Sequence, residues 1–87
     1  MTQTELELHM AGRVAEILRI PREQVTLDEE FANLGLNSVH AVTLTGELEE
    51  LLQVEIEPTL AFEHPTIASL AEYVLKLDHR SDLQTPS

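Results

Sequence analysis

Three prolines constrain this chain most: Pro21 disfavours helical geometry at Ile20, so a helix should stop there, and Pro58 and Pro65 flank a short apolar segment. Between them, apolar residues recur at helical spacing. Ahead of Pro21, Leu6, Met10, Val14, Ile17 and Leu18 fall on one face, and Thr4 with Glu7 has the form of a capping box, which predicts a first helix over about residues 5–19. After Gly35, Val42, Leu44, Leu48, Leu51 and Leu52 form an apolar stripe beside an acidic one of Glu47, Glu49 and Glu50. That second helix is expected to start at Asn37 or Ser38, since either side chain can accept from the free amides of a first turn. Leu60, Ala61 and Phe62, held between Pro58-Thr59 and His64-Pro65, predict a short third helix. Thr66 can cap a fourth that carries Ile67, Leu70, Ala71, Val74 and Leu77.

The segment from Pro21 to Asn37 has no such period, yet Val25, Leu27, Phe31, Leu34 and Leu36 give it apolar anchors, so an ordered loop is expected, with a helical turn near Pro21-Arg22-Glu23-Gln24. The one alternating stretch, Val54-Glu55-Ile56-Glu57, is too short and isolated to predict a strand. The expectation is an all-α fold: a small four-helix bundle, three longer helices and one short, with a long ordered loop between helices one and two. Its boundaries are put at residues 1–78, with 79–87 a flexible tail or linker.

Eighty-seven residues make one core and exclude a two-domain enzyme. Five Lys and Arg against 16 Asp and Glu give a net charge of −11, which disfavours nucleic acid and anionic membranes as partners. The distribution sharpens the point: from Glu23 to Leu75 the chain carries eleven carboxylates and no Lys or Arg. Such a surface is either a solvated face or a docking face for basic partners. The absence of cysteine removes disulfides, thiolate metal sites and cysteine nucleophiles and fits a reducing cytoplasm. A monomer is expected.

Catalysis finds little to work with. Ser38 lacks the flanking glycines of a nucleophile elbow, and His40, two residues on, does not share its helix face. The four histidines show no i,i+4 spacing, and Asp28-Glu29-Glu30 lacks the alternating ligands and central glycine of a calcium loop, so no metal site and no enzyme activity are expected. What remains is Ser38 itself, at the mouth of a helix after a glycine turn. It can serve as an N-cap, or carry an anionic group such as a phosphodiester, which free amides and the helix dipole would favour.

At this point Phe31-Ala32-Asn33-Leu34-Gly35-Leu36-Asn37-Ser38 resembles the phosphopantetheine attachment motif of the acyl carrier proteins, and Pro58-Thr59-Leu60-Ala61-Phe62-Glu63-His64-Pro65-Thr66-Ile67 is similar to the second signature of carrier domains from polyketide assembly lines. The resemblance spans Asp28 to Val74 and implies a carrier, not an enzyme. A 4'-phosphopantetheine arm, transferred from coenzyme A to Ser38 by a phosphopantetheinyl transferase, would hold acyl or polyketide intermediates as thioesters, and its thiol would replace the missing cysteine. Asn37 and Val39, which flank Ser38, are implied to contribute to binding the group. Implied partners are that transferase, a ketosynthase, an acyltransferase or acyl ligase, and tailoring enzymes with basic docking patches. In the family they meet the start and body of helix two, which matches Val39, Thr43, Gly46, Glu47, Glu49 and Glu50 here.

Two residues depart from the family pattern. Asn37 stands where the family usually has Asp, a carboxylate thought to assist the transferase's magnesium site, and a neutral amide is a poorer ligand for that ion. Gly46 stands where many relatives place a bulkier apolar residue. Either close packing against a neighbouring helix, or drift, or a partner that approaches closely would account for it. The alternatives to an acyl carrier are a peptidyl or aryl carrier domain of a nonribosomal peptide synthetase, against which Leu36 replaces a second glycine, and a non-catalytic acidic interaction module that keeps Ser38 only as a cap.

Overall fold

The computed structural model describes the backbone of residues 1–84 and the side chains of residues 1–77. Its first helix, α1 (Gln3–Leu18), starts before the expected position, because two Thr-x-x-Glu patterns overlap and the earlier one closes. Thr2 Oγ1 accepts from Glu5 N–H at 3.1 Å, and Glu5 Oε1 accepts from Thr2 N–H at 2.8 Å. The second bond holds the Glu5 carboxyl below its ordinary range. At the far end Arg19 turns left-handed at φ 58°, Ile20 N–H donates back to Ala15 O at 3.0 Å, and Pro21 prevents continuation.

The connection is ordered as expected. A 3-10 turn forms at Arg22–Gln24, Val25, Phe31 and Leu36 are buried, and Leu27 and Leu34 pack against the core. Within it lies a helix the sequence did not predict, α2 (Phe31–Leu34), whose four residues are too few to display a period. Two backbone bonds pin this segment to the start of the last helix: Phe31 N–H to Pro65 O at 2.7 Å and Ala68 N–H to Leu27 O at 3.1 Å.

α3 (Ser38–Leu52) and the short α4 (Leu60–Glu63) follow, then α5 (Ile67–Gln84). Thr66 caps α5 reciprocally with Ser69, each accepting from the other's amide at 3.1 Å. The α5 backbone enters the 79–87 stretch expected as a tail, and residues 85–87 lie outside the described residues. Among the described residues there is no strand, and the one β-bridge, Glu30 with Thr66, is part of the loop attachment. None of the described helices is long and apolar enough to cross a membrane. The fold is thus an all-α bundle in which α1 packs on both α3 and α5, with two short helices instead of one.

Leu6, Met10 and Val14 of α1, Leu44 and Leu48 of α3, and Ile67, Leu70 and Val74 of α5 form the core. The stripe on α3 differs from expectation. Ala41, Leu44, Thr45 and Leu48 are buried, whereas Val42 is 55% exposed and Leu51 also faces solvent. Thr45 enters the core because its Oγ1 donates to Ala41 O at 2.8 Å, leaving no polar atom unpaired. The apolar stripe read from the sequence had Val42 in its place. Phe62 is likewise outside, 57% exposed on α4.

Candidate functional site

The loop that leads into α3 is shaped by one glycine and one buried leucine. Gly35 ends α2 at φ 100°, a conformation that disfavours any side chain, and the next residue, Leu36, is buried and donates its N–H to Phe31 O at 3.0 Å. With Leu36 anchored, Asn37 emerges extended and becomes the N-cap of α3.

The cap is reciprocal. Asn37 Oδ1 accepts from His40 N–H at 3.0 Å, and His40 Nδ1 accepts from Asn37 N–H at 3.1 Å. The sequence left capping open between Asn37 and Ser38, and the structure assigns it to Asn37. Histidine in the third helical position was not anticipated, because the usual box has Glu or Gln there, although an unprotonated ring nitrogen is an equally competent acceptor.

Ser38 is therefore free of the capping duty. It is the first residue of α3, it is exposed, and its hydroxyl has no hydrogen-bond partner among the described residues. The backbone amides of Ser38 and Val39 precede the first intrahelical donor, Ala41, and His40 N–H is taken by the cap. Two open amides and the positive end of a 15-residue helix thus surround an exposed hydroxyl. Such an arrangement favours a phosphodiester on that oxygen. His40 cannot serve as a base through Nδ1, which already accepts from Asn37.

The remaining residues singled out on α3 divide by what they touch. Val39, 68% exposed, and Val42 place apolar surface beside Ser38. Thr43 is exposed, with Oγ1 donating to Val39 O at 3.2 Å. Gly46 is half-buried, and a Cβ added there would meet nothing within 4 Å, so close packing against a neighbouring helix does not explain the glycine.

The three glutamates are not equivalent. Glu47 pairs with Arg13 of α1 through two bonds, Nε to Oε1 at 2.7 Å and Nη2 to Oε2 at 2.9 Å, and this hydrogen bonding holds its carboxyl below the ordinary range. Arg13 also meets Glu16. Glu49 Oε2 accepts from Ile56 N–H at 2.8 Å, tying the following loop to the helix. Only Glu50 is exposed with its carboxylate unengaged among the described residues. No local pattern signals the Arg13 pairing, whose partners lie 34 residues apart. No metal-holding group of side chains occurs among the described residues.

Comparison with known proteins concerns most of the chain. Residues 10–74 match the family model described as "Phosphopantetheine attachment site". Over 74 residues the chain is 39% identical to a subunit of the phenolphthiocerol/phthiocerol polyketide synthase of Mycobacterium tuberculosis, covering 85% of this chain and 4% of that much longer protein. A free-standing peptidyl carrier protein from a secondary metabolic pathway of Acinetobacter baumannii superposes with a TM-score of 0.81 at 35% identity, over 94% of this chain and 96% of that one. A type II acyl carrier protein of Streptomyces verticillus, involved in bleomycin biosynthesis, superposes with a TM-score of 0.78 at 34% identity, over 85% and 87%.

Proposed function

The chain belongs to the phosphopantetheine attachment family, whose members are carriers that hold a 4'-phosphopantetheine group and not enzymes, and on that premise we propose that Ser38 is its attachment residue. The observation that supports this reading most is the exposed Ser38 hydroxyl, left unpaired because Asn37 and His40 cap the helix between themselves. The residues present fit the group: the Ser38 and Val39 amides suit its phosphodiester, and Val39 and Val42 offer apolar surface beside it. When bound, the group supplies a thiol that holds acyl chains as thioesters. The chain's own part is to present the oxygen, keep the helix mouth rigid and release each partner.

The partners in this reading are a phosphopantetheinyl transferase and then, in a reducing cytoplasm, a ketosynthase, an acyltransferase or acyl ligase, and tailoring enzymes of a polyketide pathway. They meet α3 along Val39, Thr43, Gly46 and Glu50, with Glu47 and Glu49 contributing behind their internal bonds. The likeness to a polyketide synthase supports acyl cargo. A second reading, peptidyl cargo, is favoured by the likeness to a peptidyl carrier protein. Competing aminoacyl and acyl thioester donors in a loading assay separates the two.

The attachment residue is tested by incubating the chain with coenzyme A, magnesium and a broad-specificity transferase and weighing the intact protein. A gain of one phosphopantetheine that is lost in Ser38→Ala is expected. A folded chain that gains nothing overturns the assignment and leaves an acidic interaction module.

A further inference from the structure

α3 borders a concave surface beyond Ser38. It is a groove of about 390 Å³ between the helix and the segment that follows it, walled by Val42 and Gly46 on one side and by Ile56 and Pro58 on the other. Gly46 opens it. Glycine inside a helix costs roughly 1 kcal/mol relative to alanine, and no neighbour within 4 Å of its missing Cβ calls for it. Val42 and Pro58 are exposed and Ile56 is buried, and Thr45 and Glu49 complete the lining, so the groove is mainly apolar with a polar share.

The rim is acidic. Glu49 is committed to Ile56 N–H, whereas Glu55 and Glu57 are exposed and their carboxylates accept no hydrogen bond from any described residue. No Lys or Arg occurs between Glu23 and Leu75 to neutralise them. Glu47, by contrast, is already neutralised by Arg13. Glu55 and Glu57 thus place two uncommitted charges over a mainly apolar slot.

We propose that this groove receives an arginine side chain of a partner enzyme, with its methylenes over Gly46 between Val42 and Pro58 and its guanidinium shared by Glu55 and Glu57. An aliphatic stem ending in a delocalised cation matches both the walls and the rim. Arginine fits better than lysine, because the planar, weakly hydrated guanidinium can bridge two carboxylates where a compact ammonium cannot. The inference rests on the carrier reading to this extent: an enzyme that reaches Ser38 comes to the same helix, along which Gly46 lies about 12 Å away at 1.5 Å per residue.

The test is an NMR titration of the isotope-labelled full chain with butylguanidinium, beside butylammonium. Saturable shifts are expected at the Gly46, Ile56 and Glu57 amides, with a Kd in the millimolar range and weaker binding of butylammonium. Gly46→Leu, which fills the slot, and the double variant Glu55→Gln with Glu57→Gln should each weaken binding about tenfold, a change of about 1.4 kcal/mol. Circular dichroism checks that both variants remain helical. Shifts that never saturate, that spread evenly over the acidic surface, or that persist unchanged in both variants overturn the groove, and equal binding of butylammonium overturns arginine. Phosphopantetheine loading, weighed on the same preparation, reports the carrier reading separately: a loaded chain whose groove does not bind retires the groove alone, and a chain that binds yet is never loaded retires the enzyme as the source of the arginine.

Discussion

At position 37 one side chain serves both stability and chemistry. As the N-cap of α3, Asn37 accepts from His40 N–H, and truncation to alanine is expected to cost about 1 kcal/mol in a denaturant titration. Aspartate would keep that acceptor and place a negative charge favourably at the helix start, so Asn37→Asp should fold at least as well. If the carboxylate also assists the transferase's magnesium, Asn37→Asp should load faster at unchanged stability, and a rate equal to or below the native one removes that role. Gly46 gives a cleaner case, since its surroundings leave room for a methyl group. Gly46→Ala should stabilise the bundle by roughly 1 kcal/mol from helix propensity alone, and a loss of stability would mean that the glycine has a structural purpose.

The elements are joined by a few long-range ties, and the tie between α1 and α3 is the one that titrates. Hydrogen bonding to Arg13 holds the Glu47 carboxyl below its ordinary range, so the pair's contribution is complete well above that range and fades as acid protonates the carboxylate through its depressed value. Glu47→Gln should therefore lower the melting temperature modestly at pH 7, with the gap to the native chain closing below pH 4.5. A gap that is constant with pH would show that the ion pair contributes nothing. These same elements were unevenly legible in the sequence. Pro21 marked the end of α1, Pro58 and Pro65 bracketed α4, and the spacing of Leu6, Met10 and Val14 identified the buried face of α1. The α3 face was misread at Val42 and Leu51, which are exposed, and at Thr45, which hides its hydroxyl in a bond to Ala41 O that only a formed helix provides. Asn37 was one of two cap candidates, but its reciprocal partner His40 went unread because histidine is not the expected residue there, and α2 because four residues show no period. The groove at Gly46 depends on how the 53–58 segment folds back on the helix, which no window of sequence displays.

At the scale of the molecule, a net charge of −11 acts twice and with opposite sign. It repels itself within the fold and attracts basic partners from outside. Raising ionic strength from 0.01 to 0.15 M shortens the Debye length from about 30 to about 8 Å. Salt should therefore raise the melting temperature while lowering kcat/KM for loading by the transferase several-fold, and a loading rate indifferent to salt would argue against electrostatic steering. All of this presupposes that the carrier's arm leaves the bundle at the mouth of α3. The most direct measurement is tandem mass spectrometry of the loaded chain after cleavage at glutamates, focused on the fragment from Phe31 to Glu47. Phosphopantetheine on Ser38 alone is the expected result, and the group on Thr43, Thr45 or any other hydroxyl would contradict it.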